Sequence, residues 1–328
     1  MTGMVQQNSL RRSVFAKGQD NMETLWGIIL VVVAGIGTGS IAWPMKLMRK
    51  LRFEHYWFIG MLTGLVIIPW IVVIFFIPRP LEAYSQVGWR PILLANICAV
   101  AWGVANILYG ICILRIGAAL TGALLSGFGL SVGALLPMIF KGSGLFGQAA
   151  DINSKAGMMI VLGVAVMLAG IVLCSAAGFG REKALQKSGQ KTAEHKHDSF
   201  LGGLIMVIIA GILSAGISLS FVYGQGPIVD AVKAQGASEV AANAAVWAVA
   251  LLGGALVNLL YPAYLMTKNK SWNVMTESGK DFVLAVLIGI QFIFGIMMLG
   301  RGMLFLGALG ASIGFGIQQA MQIMGNQG

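Results

Sequence analysis

Residues 27–46, GIILVVVAGIGTGSIAWPMK, occur twice in this chain. Shifted by 176 positions they lie on residues 203–222, GLIMVIIAGILSAGISLSFV, with Gly27/Gly203, Ile29/Ile205, Val31/Val207, Ala34/Ala210, Gly35/Gly211, Ile36/Ile212 and Ile41/Ile217 identical. Thr38 meets Ser214, and Gly39 meets Ala215. Two apolar segments share Ile and Val by composition alone, so the small residues decide: Gly35-x-x-x-Gly39 falls on Gly211-x-x-x-Ala215. Such a row lets two membrane helices approach closely. Its recurrence at the head of each half predicts a duplicated helical membrane protein, which is how many transporters are built.

Composition leads to the same place. Of the 328 residues, 57% are hydrophobic and 10% charged, too few polar side chains to cover a soluble globule of this size. Uncharged runs long enough to cross a hydrocarbon core of roughly 30 Å recur along the chain. The net charge of +10 is spread between the apolar runs and forms no patch, which argues against nucleic acid and for topology determinants facing anionic lipid. Cys98, Cys112 and Cys174 all fall inside apolar runs, with neither a disulfide framework nor metal spacing.

Taken in order, residues 1–24 read as a disordered tail without the features of a signal peptide, and Met22 is an alternative start. Nine helical spans are expected, with cores near 25–45, 56–78, 91–114, 117–140, 156–178, 200–222, 240–265, 282–304 and 306–325. Apart from Arg301 none of these cores holds Asp, Glu, Lys or Arg. A charged linker, 181–199, separates a first half (25–180) from a second (200–328); its His195-x-His197 pair reads as solvated and not as a metal site. A second offset, 190, matches Leu94/Leu284, Ala95/Ala285, Gly110/Gly300, Leu114/Leu304, Gly117/Gly307 and Ala118/Ala308.

With five spans per half, an odd number, the second copy enters the membrane upside down, a 5+5 inverted repeat. In that register residue 328 corresponds to Met138, so the counterpart of span five, a tenth helix, is expected to be missing from this sequence. Thirteen of the 22 Lys and Arg collect on the side of the linker, or thirteen against six if the chain starts at Met22. The linker is therefore placed in the cytoplasm and the N-terminus outside.

Polar side chains inside a span are costly unless they face a partner or a cavity. Span three carries Trp102, Asn106 and Tyr109 on one helical face, and span seven carries Asn243, Trp247, Gly254, Asn258 and Tyr261 on one face. Spans eight and nine add Gln291, Gln318, Gln319 and Gln322. Amides match hydroxyls as donors and acceptors, and a flat ring covers the apolar side of a sugar, so the set suits a neutral polyhydroxylated ligand. Trp102, Asn106, Tyr109, Asn243, Trp247, Gln291, Gln318 and Gln322 are the candidate binding residues. The plainer alternative keeps Asn and Gln as glue between helices and Trp and Tyr as interfacial belt.

Trp43-Pro44 ends span one, either as a broken helix offering carbonyls to an ion or as a simple terminus. GIGTGS at 35–40 lies in mid-span and is no phosphate loop. No carboxylate occupies a core, since Glu54, His55, Asp230 and Glu239 stand at margins, so proton coupling does not follow from these residues. No catalytic constellation is present in the sequence, and no cofactor is expected.

From about residue 25 onward the chain resembles the L-rhamnose-proton symporter family, within the drug/metabolite transporter superfamily. The resemblance rests on GIGTGSIAWPMKLMRKLRFEHYWFIG (35–60), IIPW (67–70), AWGVANILYGICILRIG (101–117), SAGIS (214–218), GGALVNLLY (253–261) and QFIFGIMMLGRG (291–302). The WG-x-x-N-x-x-YG element, 102–110, is the most specific of these. The resemblance implies ten helices in two inverted halves, a place in the bacterial inner membrane, and uptake of a deoxy-sugar driven by a coupling cation, the proton. It does not fix the sugar. A sugar, the lipid bilayer and a second copy in a homodimer are the partners expected. The rival readings are an exporter of amphipathic metabolites or drugs and, from another class, a membrane enzyme or receptor.

Overall fold

In lipid each backbone N–H and C=O has to be bonded within its own segment, so long unalternating apolar runs become helices. The computed structural model describes residues 2–116, 118–140, 150–187, 197–307 and 310–325, and among them there are helices and no strands. The helices are α1 (Thr2–Gly39), α2 (Ala42–Leu47), α3 (Phe53–Met61), α4 (Ile68–Phe76), α5 (Pro80–Gln86), α6 (Trp89–Ile116), α7 (Ala118–Phe140), α8 (Lys155–Lys187), α9 (His197–Ser214), α10 (Gly216–Ala234), α11 (Glu239–Ala250), α12 (Leu252–Asn269), α13 (Gly279–Phe305) and α14 (Phe315–Gly325). α1 takes in residues expected to form a disordered tail; no proline precedes Pro44 to interrupt it.

Among the described residues five segments are long and apolar enough to cross a membrane: Asn21–Leu47, Phe53–Phe76, Trp89–Cys112, Leu201–Ala234 and Gly279–Phe305. A sixth is added if α11 and α12, bent by 52°, count as one span. The expected nine are thus met in part. The fourth and fifth are represented by the shorter apolar stretches Leu120–Leu136 and Lys155–Gly170. The ninth is interrupted: Gly307 takes φ 59°, and Gly310–Gly314 forms a π turn before the short α14. Residues 188–196, the middle of the expected linker with His195, lie outside the described residues, as does Gly117.

The remaining breaks have local causes. Pro69 lacks the backbone N–H that a regular α-helix needs, and the residues before it, Leu62–Ile67, widen into a π turn between α3 and α4. Leu201–Ala234 is interrupted at Ala215, where Gly216 packs so closely on the Cys98 carbonyl of α6 that a side chain has no room.

Glycine sets the helix seams. α1 packs on α13 with Gly27 at Leu306, where an added β-carbon would fall 3.0 Å from Cγ, and with Thr38 at Gly295. The pair therefore runs antiparallel. α9 packs on α6 in the same manner, a β-carbon on Gly203 falling 2.6 Å from Ile116 Cγ2. Under the two offsets these are one contact made twice, Gly27/Gly203 against Leu306/Ile116. So is the contact about two turns further on, now against α14 and α7: a β-carbon on Gly35 would fall 2.5 Å from the Gln318 carbonyl oxygen, and one on Gly211 would fall 2.5 Å from Phe128 Cβ.

At the end of the bundle that carries Lys46 to Arg52, polar groups form a clasp. Asp281, 2% exposed in the first turn of α13, accepts backbone N–H bonds on Oδ2 from Arg49 (3.0 Å), Lys50 (2.7 Å) and Leu51 (3.2 Å). The fully buried His55 opens α3: Nε2 lies 2.9 Å from the Ser271 carbonyl oxygen and 3.0 Å from Ser271 Oγ, and Nδ1 accepts from the Arg52 N–H (3.2 Å). Asn269 Nδ2 donates to Glu54 Oε1 at 3.3 Å. Outside the spans, Tyr84 of α5 donates its hydroxyl to the Ala245 carbonyl at 3.0 Å, and burial raises that phenol well above its ordinary value.

Candidate functional site

Between the halves lies a cavity of about 70 Å³. α1 supplies Thr38; α6 supplies Trp102, Ala105 and Asn106; α7 supplies Leu125; α9 and α10 supply Ser214 and Ile217. Phe292, Gly295, Ile296 and Leu299 of α13 and Phe315, Gln318, Gln319 and Gln322 of α14 close it. No acidic or basic side chain is among these, so the cavity is neutral.

Its floor is aromatic. The Trp102 and Phe292 rings stack at 5.8 Å with an 18° interplanar angle. Its rim is a hydrogen-bond relay in which Gln318 Nε2 donates to Thr38 Oγ1 (2.9 Å) and lies 3.4 Å from Gln322 Oε1. Thr38 Oγ1 donates in turn to the Ala34 carbonyl at 2.9 Å, which fixes its lone pairs toward Gln318. Asn106 Nδ2 reaches Asn258 Oδ1 at 3.4 Å, and that oxygen also accepts from Trp57 Nε1 at 2.9 Å, so the cavity wall is tied to α3 and α12. The carbonyl oxygens Oε1 of Gln318 and Gln319 are buried without a protein partner. Other buried side-chain polar atoms share that state among the described residues, Asn243 Oδ1, Trp247 Nε1 and Gln291 Oε1 among them, so the two glutamine oxygens are set apart by standing on the cavity wall.

The lining is paired under the offsets found in the sequence. Trp102/Phe292, Ala105/Gly295, Asn106/Ile296 and Leu125/Phe315 are each 190 apart, and Thr38/Ser214 are 176 apart. Residues matched in the duplication thus face the same space from opposite halves.

Of the candidate residues the structure brings together Trp102, Asn106, Gln318 and Gln322. The others lie elsewhere. Tyr109 is outside the lining, one turn beyond Asn106. Gln291 Nε2 lies 3.4 Å from Ser40 Oγ and joins α13 to the end of α1, a helix-pairing contact. Asn243 and Trp247 are 2% and 1% exposed and pack on Gly300, away from the cavity. There Asn243 Nδ2 donates to the Met297 carbonyl (2.9 Å) and Trp247 stacks on Phe221 at 4.6 Å. Tyr261 is half-buried against the core. The guanidinium of Arg301 stands 5.2 Å over the Phe305 ring, outside the lining. Reasoning by helical face missed Thr38, Ser214, Phe292 and Phe315, while Gln319 was noted among the polar residues of span nine without being taken as a binding residue. The duplication relates the missed ones to residues already in view or to each other: Trp102 plus 190 is Phe292, Leu125 plus 190 is Phe315, and Thr38 plus 176 is Ser214.

A bundle of apolar helices enclosing a neutral, amide-rimmed and ring-floored cavity is a multi-pass membrane protein, in bacteria a protein of the inner membrane. Residues 20–312 match the model of the family described as L-rhamnose-proton symport protein, and the chain belongs to that family. It is similar to the L-rhamnose-proton symporters of Yersinia pestis bv. Antiqua (strain Antiqua) and Yersinia pseudotuberculosis serotype O:3 (strain YPIII). Each is 28% identical over 257 residues, covering 78% of this chain and 72% of the relative. No solved structure matches the chain. The family is one of transport and not of catalysis.

Proposed function

We propose that this chain is a secondary transporter that imports a neutral deoxy-sugar, L-rhamnose or a close relative, together with a proton, by alternating access. The observation that carries the reading is the pair of unpartnered acceptors, Gln318 Oε1 and Gln319 Oε1, beside the stacked Trp102 and Phe292. Sugar hydroxyls supply the donors these oxygens lack, and the apolar face of a pyranose covers the rings. A chamber for an amphipathic exporter has no use for Thr38, Asn106, Ser214 and three glutamines on its wall.

An inverted repeat supports alternating access. α1 runs antiparallel to α13, and α9 antiparallel to α6. α12 lies alongside α6 in the same sense, with Gly253 at Asn96 and Asn258 at Asn106, while Trp57 at Asn258 and Glu54 at Asn269 make α3 antiparallel to α12. α3 in turn parallels α13 through Gly60 at Ala285 and Gly64 at Gly289. Followed around this ring of contacts, the two glycine-bearing helices α1 and α9 run in opposite senses, as a flipped copy requires. Alternating access requires the walls of this cavity to part on one side of the membrane and then on the other, to admit and release the sugar.

The test is counterflow of labelled L-rhamnose in proteoliposomes, against a panel of deoxy- and ordinary hexoses, with and without an imposed proton gradient. We expect exchange of L-rhamnose or a near relative, concentrative uptake only with the gradient, and loss of both in Trp102→Ala, which still inserts normally. A purified protein that exchanges no sugar overturns the reading.

A further inference from the structure

An amide offers donors at one end and an acceptor at the other, and which end meets a ligand depends on what holds the opposite one. At Gln318 a single hydrogen decides it. The Thr38 hydroxyl carries one, and it is spent inside α1: Oγ1 lies 2.9 Å from the Ala34 carbonyl oxygen and 3.1 Å from that of Gly35. Toward α14 the same oxygen can only accept, so the Gln318 atom 2.9 Å away is Nε2. The second Nε2 hydrogen faces Gln322 Oε1 at 3.4 Å. Both amide hydrogens are thus directed into the protein, and Oε1 is left on the cavity wall without a protein partner.

We infer that Thr38 is the positioning residue that turns this wall into an acceptor, so that the cavity selects its ligand by hydroxyl groups that donate. Thr38 is itself placed by its methyl. A β-carbon on Gly295 would fall 2.6 Å from Thr38 Cγ2, so the bare Cα of Gly295 seats the methyl, and branching at Cβ then fixes the direction of the hydroxyl. The matched pair in the other half is Ser214 with Ala105, one carbon fewer on the first and one more on the second.

Other groups on the wall follow the same rule. The Ser214 hydroxyl donates within its own helix, 2.7 Å from the Gly211 carbonyl oxygen, and keeps its lone pairs for what lies beyond. Asn106 directs an Nδ2 hydrogen away from the cavity, toward Asn258 Oδ1 at 3.4 Å. Gln319 Oε1 is a second acceptor without a protein partner. Thr38, Ser214, Gln318 and Gln319 are all buried, so protein contacts and not bulk solvent set these directions. A wall of this polarity accepts from hydroxyls and disfavours a fluorine, ketone or carboxylate at Gln318, where one acceptor would face another.

The role assigned to Thr38 deepens the sugar reading and rests on it for the first test alone. The probes are L-rhamnose and its monofluoro analogues, each with one ring hydroxyl replaced by fluorine, which does not donate, used as competitors of labelled L-rhamnose exchange in proteoliposomes. In the wild type at least one analogue is expected to compete about tenfold or more weakly than L-rhamnose. Thr38→Val keeps the methyl at Gly295 and removes the hydroxyl, releasing the Gln318 amide to turn over. It should bind L-rhamnose about tenfold more weakly and prefer it to that analogue by less than about threefold, while Thr38→Ser keeps the wild-type preference. A role in packing alone would weaken both ligands and leave the preference unchanged. Wild-type preference in a normally inserted Thr38→Val overturns the inference, as does its loss in Thr38→Ser or equal competition by every analogue in the wild type.

A sugar-independent measurement stands beside it. Hydrogen exchange of the Gln318 side-chain amide, followed by NMR on the full chain with isotope-labelled glutamine and assigned by its disappearance in Gln318→Met, should be about tenfold slower in the wild type and Thr38→Ser than in Thr38→Val. Equal exchange in the wild type and Thr38→Val overturns the positioning role even where sugar is carried. The expected difference in a protein that moves no sugar leaves Thr38 positioning Gln318 and removes the sugar.

Discussion

Where the second half presents Gln318, Gln319 and Gln322 to the cavity, the first half has Phe128, Gly129 and Val132 in the same register. Where the first half presents Asn106, the second has Ile296. The backbone frame is common to both copies, since Gly35 packs on residue 318 and Gly211 on residue 128 with the same closeness. The side chains on the cavity wall are not common. On the proposed sugar-binding reading, matched frames with unmatched walls hold the ligand in one orientation, hydroxyls against the glutamines and a ring face against Trp102. Gly129 takes part by omission, because a β-carbon there would collide with Ser214 Oγ, and its bare Cα leaves room for that hydroxyl.

The comparison is open to attack from either side. The largest effect is expected at the frame: Gly35→Leu and Gly211→Leu each drive a side chain into backbone or Cβ, a loss of about 3 kcal/mol or more, and both should abolish folded protein in fluorescence size-exclusion profiles. A frame held in common demands that they fail alike; loss in one with full stability in the other breaks the equivalence. At the walls, Gln318→Met keeps the length of the side chain while removing its acceptor and its bond to Thr38, and should weaken apparent sugar affinity by about 10–100-fold with only about 1 kcal/mol of stability lost. The smallest effect is expected from Thr38→Ser, which copies the matched residue of the other half and keeps the hydroxyl that Gln318 donates to; uptake should change by less than about threefold. A large loss there would mean that the threonine methyl, packed at Gly295, shapes the chamber itself.

Much of this frame could be read before any coordinates, and the reason is physical. A helix that must pack closely keeps its glycines, so the 35/39 and 211/215 rows survive as a repeat while their apolar neighbours drift. The cavity wall was half legible. Trp102, Asn106, Gln318 and Gln322 stood out as polar or flat groups in apolar runs, and they do meet. Gln291, Asn243 and Trp247 stood out for the same reason and turn out to join helices: Gln291 to Ser40, Asn243 to the Met297 carbonyl, Trp247 to Phe221. Helical periodicity tells which residues share a face and is silent on what that face looks at. The breaks at Ala215, at Leu251 and after Gly307 were unreadable because a local tilt of the axis leaves the hydropathy of a span almost unchanged.

The copied joint, Gly27 at Leu306 and Gly203 at Ile116, has an energetic corollary. On the proposed alternating-access reading, two latches cut from one pattern close with similar free energies. Exchanging one for the other is then nearly balanced, and a bound sugar with its proton decides which way the molecule faces.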